Sequence, residues 1–366
     1  MKAKNISVIL LLLIAGIGIG WYWNDKQNLA LRAQLEGVRE TIERQQEMIE
    51  TVGRENMQPM LTELMDQIDQ ELKNNDAHTL SQTTIQRIAD LSHAFKPYKY
   101  LQGDTLSAGA YSLERGQLLL HLIRLELDSA TWFGIKSKVS FAGADLQETD
   151  LRNQDLSGVD LSGALLEKTN LIGANLTVAN LSYAQMAHSD LRAVNARQVN
   201  LSYANLKMTD FGGADLRDAN MHICSMEWAD FTKADLSWAA FDGSNLRNAK
   251  LRGCNLKESY GRWSDLTGSL LDSSSMRGAD LEGCVLIKAK LSNSDMTGAN
   301  LKHTKLTDAD FSGCELVQGV VKEGDWLERL QELNVKGAEE IANDYYTKPE
   351  KMGANSVYRI QRSNRP

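Results

Sequence analysis

The chain has 366 residues, a formal net charge of −8 and a pI near 5.4. This acidic balance argues against nucleic-acid binding, because affinity for a phosphate backbone comes from basic residues. The six histidines and four cysteines have no metal-ligand spacing, and the sequence contains no nucleophile elbow, phosphate loop or zinc motif. We therefore expect no metal, no cofactor and no catalysis, and an enzyme of unrecognised class is the weakest alternative.

The amino terminus predicts a membrane anchor. Residues 6–23 carry no charge and end in three aromatic residues, which fits a short spanning helix with an interfacial belt. Lys2 and Lys4 precede the span within residues 1–5, and positive charge stays on the cytoplasmic side. We expect a single-pass, uncleaved signal anchor in a bacterial inner membrane, with residues 1–5 cytoplasmic and the repeat domain periplasmic. The alternative is a cleaved signal peptide that ends near Gly20.

Residues 24–56 have an apolar period close to 3.5, carried by Leu31, Leu35, Val38, Ile42, Ile49 and Val52. This period indicates a short coiled coil or an amphipathic helix that packs locally. The segment is too short to establish oligomerisation, so a homo-oligomer stays open.

Residues 57–137 are expected to form a helical region. The apolar spacing predicts three amphipathic helices, at about Met60–Lys73, Thr79–Phe95 and 112–127. Pro97 ends the second helix, and Ser112 is the N-cap of the third. This third helix precedes a repeat array whose open end would expose core and unpaired backbone, so we expect it to act as a cap.

The strongest pattern is a five-residue repeat. A large apolar residue recurs at every fifth position from Phe141 to Leu316, 36 times in register, and only Ala196 and Gly261 depart. A small residue stands two places before nearly every one, and Asp or Asn is the commonest residue between them. Because a period of five matches neither helix nor strand, the apolar side chains must be buried by stacking in a winding array.

This pattern resembles the pentapeptide-repeat family, with its A-(D/N)-L-x-x consensus. The resemblance implies an all-β domain over residues 138–320, a right-handed quadrilateral β-helix with twenty residues in each coil. Thirty-six units, four to a coil, make about nine coils. The stretch SLERGQLLL that begins at Ser112 also resembles a capping segment of some members. The coil length places Phe241 beneath Gly261 and leaves Val194 to fill space near Ala196, which indicates local volume compensation.

The four cysteines occupy the small inward position at intervals of thirty residues: Cys224, Cys254, Cys284 and Cys314. Thirty residues are one and a half coils, so successive cysteines face opposite walls. Cysteines on the same wall, such as Cys224 and Cys284, are three coils apart, which is too far for a disulfide. We expect four free core residues.

Residues 321–366 are expected to form a helical cap and a tail. Two short helices are predicted, at Trp326–Leu333 and Ala338–Tyr345, and Val357–Ile360 is read as a strand or an ordered tail.

Three classes of function are compatible with this organisation. The preferred one is a non-catalytic, membrane-tethered scaffold that binds an unknown protein partner. The second follows from the resemblance, because some pentapeptide-repeat proteins mimic B-form DNA and bind DNA gyrase, as in quinolone resistance. Residues 139–320 carry 23 acidic and 17 basic residues, a weak imitation of DNA, and an anchor would separate them from gyrase. The third class is an enzyme, which the absence of a catalytic constellation disfavours.

Folding twenty residues into each coil predicts a partner-binding wall. Tyr183, Tyr203 and Ile223 fall on one edge, and Met208 and Trp228 fall on the next. The wall between the two edges is thus flanked by residue types that are enriched at interface hot spots. The simpler interpretation is that these are ordinary surface aromatics.

A second candidate patch is a line of basic residues on another wall: Arg197, Arg217, Lys257 and Arg277. The simpler interpretation is that these side chains offset the nearby carboxylates of Asp215 and Asp235.

Overall fold

The computed structural model describes residues 36, 57–73, 75–102, 105–352 and 355–363. The chain divides into two units, Met1–Asn56 and Met57–Pro366. The predictions for residues 1–5, for the anchor at 6–23 and for the coiled coil at 24–56 therefore lie outside the described residues, Glu36 excepted. Within the described part, none of the helices is long and apolar enough to cross a membrane.

The region before the repeats contains four helices and a two-residue hairpin among its described residues. The helices are α1 (Met57–Leu72), α2 (Gln82–Ala94), α3 (Leu113–Arg124) and α4 (Ser129–Lys136), and β1 (Leu101–Gln102) pairs antiparallel with β2 (Thr105–Leu106). The first three helices match those predicted, with ends displaced by at most three residues. Helix α4 was not predicted, because its sequence has no regular apolar spacing.

Side-chain caps and apolar stripes explain these helices. Helix α1 buries Leu61, Leu64 and Ile68, which share one face at spacings of three and four residues. The Ser112 hydroxyl accepts a hydrogen bond from the backbone N–H of Arg115 at 3.2 Å, so Ser112 is the N-cap of α3, as predicted.

The repeats form a β-helix with a twenty-residue coil. Parallel bridges join each Asp/Asn position to the residue twenty places later, from Asp145 and Leu165 to Asn300 and Val320. Backbone hydrogen bonds cross between coils in the same rhythm, for example from the N–H of Leu151 to the carbonyl of Asn170 at 2.7 Å. The thirty-six units therefore stack as nine coils with four sides each.

The every-fifth residues fill the axis of the β-helix. Leu151, Leu171 and Leu191 stack on one wall, as predicted, and each is at most 1% exposed. Phe211 and Phe231 stack directly, with ring centroids 5.0 Å apart. Close packing of identical positions supplies the stabilising apolar burial of the domain.

The residue two places after each central position turns the corner with a positive φ. Gly158 has φ +67° and Ile223 has φ +56°, and the other corners fall in the same region. Glycine and asparagine adopt this left-handed conformation readily, whereas a β-branched residue does so at a cost of roughly 1–2 kcal/mol.

Helix α3 closes the first coil. Ser112 bridges Ala144 in parallel, and its carbonyl accepts the N–H of Asp145 at 2.9 Å, so the segment continues the inter-coil ladder. Gly116 lies against the Asp145 carbonyl, where a Cβ would collide with the oxygen. The capping helix thus docks by close backbone contact at Gly116, and the Arg115 guanidinium adds a hydrogen bond to the Ala142 carbonyl.

The carboxyl-terminal cap contains the two predicted helices, and the predicted strand at Val357–Ile360 lies within a longer strand. The cap also contains a three-stranded sheet, so the expectation of a helical cap is corrected to a mixed one. It contains β3 (Val320–Val321), α5 (Trp326–Glu332), α6 (Ala338–Asp344), β4 (Tyr345–Met352) and β5 (Asn355–Arg362). The strands form an antiparallel sheet in the order β3-β5-β4. Burial of Val321 and Ile360 drives this sheet over the last coil. Pro349 and three charged residues obscured β4, which such residues suit only as an edge strand.

Candidate interaction surface

The five corner residues 183, 203, 223, 243 and 263 lie above one another and form what we call the tyrosine edge. Tyr183 and Tyr203 are stacked, with ring centroids 4.9 Å apart and planes 3° from parallel. Tyr183, Tyr203 and Ile223 are about half exposed, and Trp263 is 65% exposed. The sequence analysis missed Trp263 because Gly243 interrupts the run of large residues, although the twenty-residue register points to it.

The neighbouring edge carries Met208 and Trp228, 52% and 58% exposed, which we call the tryptophan edge. The wall between the two edges bears Lys207 and Glu227, whose side chains form an ion pair at 3.1 Å across adjacent coils. The second carboxylate oxygen of Glu227 is buried and has no hydrogen-bond partner within the described structure. The structure therefore brings the five predicted residues of this patch together around one polar wall.

The large residues of these edges occupy strained backbone positions. Tyr203, Met208, Ile223 and Trp228 have φ between +55° and +63°. A different corner of the same coils carries small residues or Asn at eight of its nine positions, with Lys233 as the exception: Asn153, Gly173, Ala193, Gly213, Lys233, Gly253, Ser273, Asn293 and Gly313.

Two of the four residues in the predicted basic line, Arg217 and Arg277, form ion pairs within the β-helix. Arg217 donates from Nε to Asp215 Oδ1 at 2.8 Å, and its Nε also lies 3.9 Å from Asp235 Oδ2. Arg277 pairs with Asp295 at 3.0 Å, and the Lys257 ammonium lies 5.8 Å from the centroid of the Trp238 ring.

The charge states of this line follow from its pairs. The hydrogen bonds from Arg217, with a weaker effect of the Arg197 charge, hold the pKa of Asp215 below its ordinary value. The same contact raises the pKa of the Arg217 guanidinium. Two of the four cations, Arg217 and Arg277, are therefore engaged by carboxylates of the β-helix itself.

The cysteines are core residues, free and buried. Each thiol donates to the carbonyl oxygen 23 residues earlier, as Cys254 does to Phe231 at 2.7 Å and Cys284 to Gly261 at 2.7 Å. Burial raises the pKa of all four thiols to about 12, so thiolate chemistry is disfavoured at neutral pH. In the described part of the chain, no group of three or more His, Cys, Asp or Glu residues could hold a metal ion.

The fold defines a solenoid, a class of protein built from stacked repeats, here of five residues each. The family model described as "Pentapeptide repeats" matches in eight overlapping copies, which cover residues 137–195 and 197–313. The chain belongs to the pentapeptide-repeat proteins, and pentapeptide repeats imply a right-handed β-helix. No curated protein matches it.

Solved structures of other pentapeptide-repeat proteins are similar to this chain. HetL of the cyanobacterium Nostoc sp. strain PCC 7120, described as involved in heterocyst differentiation regulation, is 26% identical; the match covers 50% of this chain and 86% of HetL, with a TM-score of 0.39. QnrB1, described as a plasmid-mediated fluoroquinolone resistance protein, is 15% identical over 52% of this chain and 96% of QnrB1, with a TM-score of 0.43.

Proposed function

We propose that the protein is a non-catalytic scaffold that binds a protein partner through the wall between the tyrosine and tryptophan edges. One observation carries this proposal: large apolar side chains at Tyr203, Ile223 and Trp228 stand exposed at positive-φ corners. Each would be less strained as Gly or Asn, so their presence favours a use outside the fold itself.

The geometry of the two edges suits protein recognition. Tyr183 and Tyr203 already stack on each other, so each ring is partly held in place before a partner arrives. Preorganised rings cost less conformational entropy on binding than mobile side chains do. The wall between the edges is polar and internally paired through Lys207 and Glu227, as in interfaces where a few aromatic anchors provide most of the energy.

The proposal is tested by replacing Tyr203 and Trp228 with Ser and measuring which membrane proteins are cross-linked to the full chain in cells. The matched control is Trp238→Ser, at a third edge, where Trp238 is 48% exposed and has φ +57°. We expect the double variant to lose its cross-links and the control to keep them, with circular dichroism unchanged in both. Retention of every cross-link in the double variant would remove this surface as the binding site.

The scaffold is further proposed to be tethered to a bacterial inner membrane by residues 6–23, with its β-helix in the periplasm. The uncharged span and the lysines at 2 and 4 support this topology. Sequencing the mature amino terminus tests it, because a start at or after Trp21 would identify a cleaved signal peptide.

The DNA-mimic alternative is less well supported by the surface charges. A mimic of DNA requires rows of unpaired negative charge. Many surface carboxylates of the β-helix are instead paired with cations: Asp150 with Arg152, Asp190 with Arg192, Asp215 with Arg217, Asp265 with Arg247, and Asp295 with Arg277. A topology reporter fused after Pro366 separates the two functions, since only a cytoplasmic signal is compatible with gyrase binding.

A further inference from the structure

The tyrosine edge has one missing layer. Its successive residues are Tyr203, Ile223, Gly243 and Trp263, so a single coil carries no side chain at this corner. A Cβ at Gly243 would lie 3.7 Å from Ile223 Cγ1, whereas a Cβ at Gly283 would collide with the Trp263 ring. Ile223 therefore reaches up to the level of Gly243, and Trp263 leans away from it over Gly283, which leaves a gap between the two side chains.

The coil spacing sets the thickness of this gap. Tyr183 and Tyr203 show that rings on consecutive coils stack in parallel at 4.9 Å. Phe211 and Phe231 repeat the arrangement inside the β-helix at 5.0 Å. One absent layer in such a column is thus the space for one planar ring, with Ile223 on one side and Trp263 on the other.

An open surface groove of about 450 Å³ lies at this place. Its apolar walls are Tyr203, Ile223 and Trp263, and its polar side is formed by Ser202, Asn220, His222, Asp242 and Arg262. This composition, aromatic walls with a few polar groups to one side, is typical of a binding site that orients a ring by hydrogen bonds. We propose that this slot binds one neutral planar aromatic ring, the side chain of a Trp or Tyr residue of a protein partner.

The charges beside the slot favour a neutral ring. His222 Nδ1 lies 3.3 Å from Asp242 Oδ2, and the Arg262 backbone N–H donates to Asp242 Oδ1 at 2.7 Å. The Arg262 guanidinium is engaged by Asp280 on the next coil. The His222 imidazole and the Arg262 guanidinium are therefore both engaged within the protein, while Asp242 keeps lone pairs that can accept an indole N–H or a phenol O–H.

The openness of the slot explains why the ring is assigned to a polypeptide. Trp263 is 65% exposed, so a free ring would bury only part of its surface and bind weakly. A ring attached to a chain gains further contacts with Tyr183 and Tyr203 along the same edge. The assignment of the ring to a protein partner thus rests on the proposed scaffold function. The claim that the slot binds an aromatic ring does not depend on that function.

The test is a ¹⁹F NMR titration of the full chain labelled with 5-fluorotryptophan. The Trp263 resonance is identified by its loss in Trp263→Phe, and the probes are indole and N-acetyltryptophanamide. We expect both probes to shift the Trp263 resonance saturably, the amide at least as tightly as indole, and to leave the Trp238 resonance unchanged. An unchanged Trp263 resonance would overturn the slot; binding of indole with exclusion of the amide would overturn the polypeptide source.

Two glycine variants of the same edge supply the matched control. Gly243→Tyr fills the missing layer at φ +65°, close to the +63° that Tyr203 already adopts. Gly163→Tyr introduces the same residue at φ +64° one coil before Tyr183, where nothing lies within 4 Å of the new Cβ. We expect at least tenfold weaker probe binding in Gly243→Tyr and unchanged binding in Gly163→Tyr; equal binding in both variants contradicts the proposal. Because the probes need no partner, this result is independent of the cross-linking experiment.

Discussion

The ring of Phe241 occupies the space that the side chain of residue 261 would fill one coil above it. A Cβ at Gly261 would collide with Phe241 Cε2 and Cζ, and both residues are buried. The one absent large residue in this half of the array is thus compensated by a ring that extends across two layers. Volume is conserved between coils rather than within each unit.

The first prediction is a double-mutant cycle on this pair. We expect Gly261→Ala to lower the free energy of unfolding by about 1–3 kcal/mol through overpacking, and Phe241→Leu to cost a similar amount through a cavity. In the double variant, the smaller Leu at position 241 makes room for the new methyl group at position 261. The double variant should therefore lose at least ~0.5 kcal/mol less free energy of unfolding than the two single variants lose in sum. Urea unfolding of the full chain measures the cycle; strictly additive losses would show that the two residues do not share one space.

The second prediction concerns backbone strain at the tyrosine edge. Ile223 is β-branched with φ +56°, so Ile223→Asn should raise the free energy of unfolding by about 1 kcal/mol. The control is Ile172→Asn, because Ile172 is not among the positive-φ residues and gains no such relief. In the cross-linking experiment the stabilised Ile223→Asn variant should nevertheless lose partner contacts. If Ile223→Asn loses as much free energy of unfolding as Ile172→Asn does, the backbone at residue 223 is not strained.

The regular part of this structure could be predicted from sequence because one period determines it. An unbroken five-residue register places Leu151, Leu171 and Leu191 on one wall, and the same arithmetic places Phe241 under Gly261. It also brings Tyr183, Tyr203 and Ile223 to one edge. Each of these positions follows from the twenty-residue coil length alone and needs no knowledge of contacts elsewhere in the chain.

The parts that could not be predicted depend on contacts without a period. Strand β4 contains Pro349 and several charged residues, and it forms because β5 pairs with it, not because of its own pattern. The basic line looked accessible in sequence, yet Arg277 meets Asp295 eighteen residues later, a pairing set by side-chain rotamers on adjacent coils. The slot at Gly243 is defined by an absent side chain, which a search for large residues passes over.

The third prediction is a loss of stability at alkaline pH caused by the buried thiols. Their pKa is about 12 in the folded chain, whereas an unfolded thiol titrates near 8.5. Between these values the unfolded chain has released protons that the native state retains, so stability falls as pH rises, by on the order of 1 kcal/mol per pH unit for each thiol. Below pH 8 the thiols should make no difference.

Cys254→Ser supplies the control for that measurement. A serine can donate to the same carbonyl, as Ser244 donates to Met221 at 2.8 Å, but its hydroxyl does not titrate in this range. The variant should therefore lose stability less steeply than the parent chain between pH 9 and 11 in urea unfolding. An identical slope in both proteins would mean that the Cys254 thiol does not contribute.

The last prediction concerns the closure of the first coil by α3. Gly116 lies inside this helix, where alanine is ordinarily better than glycine by about 1 kcal/mol. Here the added Cβ would collide with the carbonyl oxygen of Asp145, a backbone atom that cannot turn aside. Gly116→Ala should therefore destabilise the protein by about 2 kcal/mol or more despite its higher helix propensity.

Gly134→Ala in α4 is the matched control, since its Cβ would meet only Ile85 Cδ1 at an ordinary 3.6 Å, and that variant should be neutral or more stable. Hydrogen exchange should localise the effect of Gly116→Ala to the first coil, with faster exchange at the Asp145 amide, which donates to the Ser112 carbonyl. If Gly116→Ala and Gly134→Ala both unfold more slowly than the parent chain, α3 does not pack on the first coil through the contact between Gly116 and the Asp145 carbonyl.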